Sequence, residues 1–388
     1  MHYAEIGTKG GNRKMFEKRL MANLDHAATG LGLGPFHRQP GRVAADVTDP
    51  AKVEDALERL ALIPGIAWLA PAVVTEPDID AITKVAVDMA VAHPDSVFRV
   101  QTRRTFKQFP MDSLAVNRHV GAAIVQATGR SVSLGNPDYT YLVEIDKRRA
   151  SVVSDRREGF GGLPVGSEGT LVALLSGGLD SPVAAFAMMR RGCRIRLLHF
   201  LNRSLGKNRV VEKIRDLADR LSYFHGPIDL TVVPFDDLQR EIVMVVPDKY
   251  RMIVYRRAMF RIAELVRREA KALGFVTGDS VGQVASQTLE NLRVIHEASD
   301  FPVYSPLAGT SKLEIVNLSK AIGTYEISIR PHDDCCSFMV AKHPATRARL
   351  GEIRGVEKFD MDAGALAAFE GRETIRFDPR PGPKGETS

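Results

Sequence analysis

Apolar and polar positions change rhythm part-way along the chain. Before about residue 160 they predict two small mixed units, and after it strands alternating with helices. Within the first sixty residues, Phe16, Leu20 and Leu24 keep helical spacing inside Arg13–Ala28. Arg42–Val47 reads as a short strand, and Ala51–Leu60 as a helix opened by Asp49-Pro50, a cap followed by proline. A second unit, from about Ile63 to Ser154, has strands predicted at Ala67–Thr75, Ser96–Thr102 and Tyr139–Ile145. Its helices are predicted at Asp78–Ala92 and Asp112–Thr128. The stretch Glu158–Gly166 then packs four glycines and a proline into nine residues, as a linker or a backbone-rich loop near a ligand would.

From Thr170 the pattern is that of a parallel α/β sheet. Leu171–Leu175 is an unbroken apolar run, expected of a strand buried on both faces. Arg194–Leu201, Asp229–Pro234 and Gly274–Gly278 are further strand candidates. Between the last two, Met252, Tyr255, Met259, Ile262, Val266, Ala270 and Leu273 form a helical stripe, with Arg256, Arg257, Arg261, Arg267 and Arg268 off it. Those arginines read either as a solvated face or, for Arg256 and Arg257, as contacts for phosphate or RNA. The last dozen residues are expected to be disordered.

Composition narrows the class. The 388 residues are 44% hydrophobic and 26% charged, an ordinary soluble globular balance. A net charge of +6 permits a polyanionic partner without identifying one. Three cysteines argue against a disulfide-built secreted fold. No membrane partner is expected, since no apolar run approaches the roughly 18–20 residues of a membrane span, and the start has no apolar h-region. A cytoplasmic protein is expected.

Ser176-Gly-Gly-Leu-Asp-Ser181 follows the buried strand and precedes a helix at Pro182–Arg191. Two glycines let backbone N–H groups approach phosphate oxygens, the serines add hydroxyl donors, and a helix N-terminus favours an anion. Asp180 cannot bind phosphate directly, so it suggests a Mg²⁺ bridge or a capping role. The alternative is a strand-to-helix turn that needs glycine only sterically. No Walker sequence is present.

The loop resembles the PP-loop of ATP pyrophosphatases. Its flanks, Glu158–Gly166, Met189–Arg194 and Thr277–Leu289, resemble those of the tRNA 4-thiouridine synthetases, or tRNA uridine 4-sulfurtransferases, over nearly the whole chain. That resemblance implies an α/β fold in which a parallel-sheet PP-loop catalytic domain follows ferredoxin-like and THUMP domains. The implied bounds are 1–60, 61–160 and 161–350, with a partly disordered extension over 351–388. It implies ATP and Mg²⁺ as cofactors, and ATP contacts at Leu174, Leu175, Ser176, Gly177, Gly178, Asp180, Ser181, His199, Phe200, Arg256, Gly278 and Gln287. Ordinary strand packing is the other reading of His199 and Phe200. Lys312 matches a lysine that stabilises the transition state, or is simply an exposed helix-start residue.

Sulfur chemistry points to Pro331–Pro344. The resemblance aligns its essential cysteine with Cys335, next to Cys336, and implies a persulfide carried by one of them. A zinc site using His332, Cys335, Cys336 and His343, or inert buried thiols, are the alternatives; Cys193 reads as structural. No bound metal ion is assigned. Relative to the family, the chain starts late, stops before a rhodanese-like domain and has Leu179 where an aromatic is common. A cysteine desulfurase would therefore supply the sulfur directly. A thiamine-pathway sulfur-carrier protein is a second acceptor in this family, and a homodimer is the implied assembly. On the RNA side, Arg99, Arg103, Arg104 and Lys107 suit tRNA phosphates, with Phe98 and Phe106 beside them for stacking. Lys9, Arg13, Lys14, Lys147, Arg148 and Arg149 extend the basic surface. The rival readings are a PP-loop amidotransferase or ligase, and a tRNA-binding or sulfur-relay protein with an inactive ATP site.

Overall fold

Phe16, Leu20 and Leu24 are the buried stripe of helix α1 (Arg13–Ala27), in a computed structural model that describes residues 1–92, 97–153, 156–202, 207–331, 341 and 343–379. Helix α1 packs with an antiparallel ribbon, β1 (His37–Gln39) and β2 (Arg42–Ala44), and with α2 (Val53–Ala61). The Asp49 carboxylate accepts from the Ala51 N–H and Pro50 follows, so the turn into α2 starts as the cap signal requires.

The strand expected over Ala67–Thr75 is two, β3 (Trp68–Leu69) and β4 (Ala72–Thr75), on either side of Pro71. Proline has no amide to give a ladder, so the chain breaks there. Next come α3 (Ile79–Ala92), β5 (Phe98–Arg104), α4 (Ser113–Thr128), β6 (Tyr139–Ile145) and β7 (Ala150–Val153). The sheet order is β4–β7–β6–β5, with β5 and β6 parallel across the α4 crossover. Phe98, Val100, Tyr141, Val143 and Val152 point inward to Ile82, Val116 and Val120 of the two helices. Asp112 caps α4 by accepting from the Ala115 N–H, and Gly129 ends it in the left-handed region.

The glycine stretch is a seam. Strand β8 (Arg157–Glu158) pairs with β3, Gly161 N–H donates to Ile66 O, and Leu163 N–H donates to Arg190 O. A Cβ on Gly159 would lie 2.4 Å from Ile66 O, and one on Gly162 2.2 Å from Arg190 O. Only glycine allows backbones so close, and the seam joins all three units.

The large sheet contains β9 (Thr170–Leu174), β10 (Arg194–Leu201), β11 (Ile228–Pro234), β12 (Phe275–Val276), β13 (Val303–Tyr304) and β14 (Glu373–Phe377), in the order β13–β12–β9–β10–β11–β14. The first five of that order run parallel, and β14 lies antiparallel on β11. Helices α5 (Asp180–Met189), α6 (Lys207–His225) and α10 (Lys312–Ala321) cover one face. On the other lie α7 (Asp236–Val245), α8 (Asp248–Ala270), α9 (Leu289–His296), α12 (Leu350–Val356) and α13 (Met361–Glu370). Between α10 and α12 sits the short α11 (Tyr325–Ser328). The extension after 350 thus supplies two helices and the sixth strand, while its end, expected to be disordered, falls outside the described residues from 380 onward.

Two buried polar devices stiffen this unit. Ile195 N–H donates to His225 Nε2 at 2.9 Å, which leaves Nδ1–H to donate to Pro227 O at 3.0 Å. That tautomer is neutral, and burial pushes the imidazole pKa down to about 4. Arg257, read as a phosphate or RNA contact, is instead 2% exposed. It donates to Glu357, Glu297 and Val294 O, bracing α8 against α9 and the end of α12. An off-stripe arginine was covered by a later helix, which spacing cannot reveal. Among the described residues, no helix is long and apolar enough to cross a membrane.

Candidate functional site

Strand β9 ends where the loop begins, and two serines hold the loop to itself. Ser176 N–H donates to Ser181 Oγ at 2.9 Å, Ser181 Oγ donates to Ser176 O at 3.1 Å, and Gly178 N–H donates to Ser176 Oγ at 3.2 Å. The hydroxyls therefore shape the turn before any ligand arrives. Asp180 opens α5 without capping it. Its carboxylate instead accepts from Lys312 Nζ at 2.7 Å and from Gln283 Nε2 at 3.0 Å. Lys312 is placed by α10, whose capping box joins Ser311 and Glu314.

A cleft of about 480 Å³ opens at the carboxyl ends of β9, β10 and β12, where open α/β sheets hold ligands. It gathers Leu174, Leu175, Ser176, Gly178, Asp180, Ser181, His199, Phe200, Arg256, Gly278 and Gln287; of the ATP contacts expected from the sequence, Gly177 does not line it. Phe200, Met252, Ile253 and Met259 form an apolar wall suited to a flat base. His199 Nδ1 donates to Leu175 O at 2.9 Å, so that imidazole also ties neighbouring strand ends together.

Behind the loop, β12 runs into Thr277-Gly278-Asp279. A Cβ on Gly278 would sit 2.8 Å from Ser181 N, so this chain passes against the loop backbone. Asp279 accepts from Arg256 Nη2 at 2.8 and 2.7 Å and from Gln287 Nε2 at 3.3 Å. Burial alone would raise its pKa, but the paired Arg256 guanidinium, with His296 and Thr277 close by, outweighs it and holds the carboxyl well below its usual range. Asp279 and Gln283 were not singled out from the sequence, although both lie in the Thr277–Leu289 segment that carries the resemblance.

Cys335 and Cys336, with His332, lie outside the described residues. The chain on either side is pinned. Lys213, 3% exposed, donates to Ser328 O at 2.7 Å and Arg330 O at 2.8 Å. Beyond the segment, Asn291 donates to Ala345 O at 2.8 Å, and Pro344 and Ala345 line the cleft. His343 is exposed, and among the described residues no group of three or more His, Cys, Asp or Glu could hold a metal ion. Cys193 is buried, and burial first of all pushes its thiol pKa up.

On the second sheet, alternation along β5 turns Arg99, Gln101 and Arg103 outward. With Trp68, Tyr139, Thr140 and Arg156 they line an open groove of about 460 Å³, where the Arg156 guanidinium lies 4.7 Å over the Trp68 ring. Arg104 and Lys107 do not line it; Arg104 donates to Phe109 O at 3.3 Å, within its own loop. Trp68 and Arg156 were missed because they reach the groove from outside β5, Trp68 from β3 and Arg156 from the residue before β8.

Comparison with known proteins matches three family models: the ThiI ferredoxin-like domain over 1–70, the THUMP domain over 74–155, and the thiamine biosynthesis protein (ThiI) over 166–361. A probable tRNA sulfurtransferase of Thermus thermophilus is 41% identical over 377 residues, covering 97% of this chain and 92% of that protein. One from Thermoanaerobacter sp. is 39% identical over 357 residues, covering 92% and 93%. A 4-thiouridine synthetase solved in complex with RNA and bound ATP superposes with a TM-score of 0.87 at 37% identity, covering 97% of this chain and 98% of that one.

Proposed function

The chain belongs to the tRNA sulfurtransferase family, and on that premise we propose how it uses ATP to replace the O4 oxygen of a tRNA uridine with sulfur, giving 4-thiouridine. The observation that carries the mechanism is the serine-stapled loop at the sheet's carboxyl edge, facing the Asp180–Lys312 pair. Backbone amides of 176–181 and the start of α5 receive the phosphates, while the apolar wall beside Phe200 receives adenine. Uridine O4 attacks the α-phosphorus and pyrophosphate leaves, so that a poor leaving oxygen becomes a good one. Lys312 neutralises charge on the phosphates, and positioning supplies much of the rate.

Mg²⁺ fits this donor set. Asp180 and Asp279 are the carboxylates lining the cleft; Asp279 is buried against Arg256, whereas Asp180, bonded to Lys312 and Gln283 at the loop itself, is the one that would share a cation commonly held by one or two carboxylates plus phosphate. When bound, it would screen phosphate charge. In the second half, the outer sulfur of a persulfide on Cys335 or Cys336 attacks C4 and AMP leaves, giving a cysteine–S–S–C4 disulfide. A thiolate then attacks its cysteine sulfur, 4-thiouridine leaves, and the protein disulfide so formed is reopened by a thiol reductant. The return of the chain to the cleft at Pro344–Ala345 supports that assignment. Arg99 and Arg103 of the open groove contact tRNA. The proposed sulfur donor is a cysteine desulfurase. Because the matching model is that of a thiamine biosynthesis protein, the sulfur-carrier protein of that pathway is a second proposed acceptor, and the cytoplasm the proposed location.

Purified protein incubated with unmodified tRNA, ATP, Mg²⁺ and either sulfide or a desulfurase plus cysteine should yield 4-thiouridine. Loss of the desulfurase-dependent product in only one of Cys335→Ser and Cys336→Ser names the carrier. Bound tRNA without any thiouridine would overturn the enzymatic reading and leave a relay or binding protein.

A further inference from the structure

Arg256 and Gln287, which line the nucleotide cleft, come from different elements and share one partner: the Asp279 carboxylate. Asp279 is 3% exposed, and His296 Nε2 lies 3.6 Å from its second oxygen. A carboxylate so buried is costly unless hydrogen-bonded and paired, so its neighbours are fixed as firmly as it is. Only Nη2 of Arg256 is used by the pair; among the described residues no acceptor is found for its Nε or Nη1. An ionised carboxylate only accepts. Gln287 must therefore turn its NH₂ toward Asp279, and its carbonyl oxygen is left buried without a partner. An orphaned acceptor beside a cleft is what a ligand donor would satisfy.

We propose that Asp279 is a positioning residue of the ATP site, which fixes Arg256 with donors to spare for phosphate and fixes the amide of Gln287 carbonyl-first toward the nucleoside. The proposal rests on the ATP reading of the cleft. Fixing a free arginine on binding costs side-chain entropy. Asp279 removes that cost beforehand. Through Gly278, the same chain sets its distance from the loop.

Asp279→Asn keeps the volume but removes the charge and puts a donor where Gln287 needs an acceptor. The KM for ATP should rise about tenfold or more with the KM for tRNA unchanged, in protein that a melting curve shows to be folded at the assay temperature. In a double-mutant cycle, Arg256→Gln combined with Asp279→Asn should lose clearly less than the product of the two single losses, the remainder being the share that Asp279 holds through Gln287. Direct ATP binding by the wild type, measured by calorimetry, separates the two levels. If the wild type binds ATP but Asp279→Asn leaves its KM unchanged, the positioning role is wrong. It is also wrong if the two substitutions add in full, or if the KM values for ATP and tRNA rise together. Absence of ATP binding in the wild type would overturn the reading of the cleft, and this role with it.

Discussion

The nucleotide cleft and the basic groove of the second sheet hold charge in opposite ways. At the cleft, Asp180 is paired with Lys312 and Asp279 with Arg256, and the loop is closed by its own serines. In the groove, Arg99, Arg103 and Arg156 spread over an open wall, with Arg99 bonded to Thr140 Oγ1 at 3.0 Å and Arg156 lying on a ring, its one carboxylate partner there, Glu158, being exposed to water. The first arrangement suits a small ligand of fixed shape, whose contacts fail together when one atom moves. The second suits a long polyanion, to which each cation adds a little and salt subtracts from all.

If that contrast is right, effects should be steep at the cleft and shallow in the groove. Asp180→Asn should lower thiolation by about a hundredfold or more, since it releases Lys312 and removes the carboxylate left for Mg²⁺. Single-turnover thiolation with saturating tRNA measures this, and a loss under tenfold would break the contrast. Gly278→Ala comes next. Its Cβ meets backbone at Ser181, so either the loop or β12 must shift, and kcat/KM for ATP should fall about a hundredfold while filter binding of tRNA stays within about twofold.

Acid tests the stiffness of the large sheet. His225 has a folded pKa of about 4 against an ordinary value of 6.5, so between those values the unfolded chain takes up a proton that the folded chain refuses. Stability is full above pH 6.5 and should fall by on the order of 2 kcal/mol as the pH drops toward 4. Urea unfolding across that range should show a shallower slope in His225→Gln than in the wild type, the remainder coming from His2, whose imidazole pKa burial pushes down to about 3. The smallest effects belong to the groove. Arg99→Gln with Arg103→Gln should weaken tRNA binding about tenfold and reduce the salt slope by about two, leaving the KM for ATP alone.

The same contrast marks what was legible in the sequence. Strand β9, the loop and α5 were readable because a doubly buried strand is an unbroken apolar run, and glycines mark the turn after it. The groove was half readable: alternation along β5 gave Arg99 and Arg103, whereas Trp68 arrives from β3 and Arg156 from the residue before β8. Roles set by distant partners left no local signal. Arg257 looked solvent-facing because Glu357 lies a hundred residues further on, and Asp279 gained its role only when α8 brought Arg256 to it. Strand β14 was missed because Glu373-Thr-Ile-Arg-Phe377 alternates weakly and pairs with a strand made much earlier.

That late strand sets the order in which the protein can be finished during synthesis. Every residue lining the cleft has been made by Ala345, yet the outer edge of β11 stays open, its N–H and C=O groups unpaired, until residues 373–377 leave the ribosome. An open edge is a template for pairing with another chain. A stalled or truncated product ending before Glu373 would carry a whole set of nucleotide contacts on an adhesive sheet, and should be found in aggregates or in protease fragments rather than as free monomer.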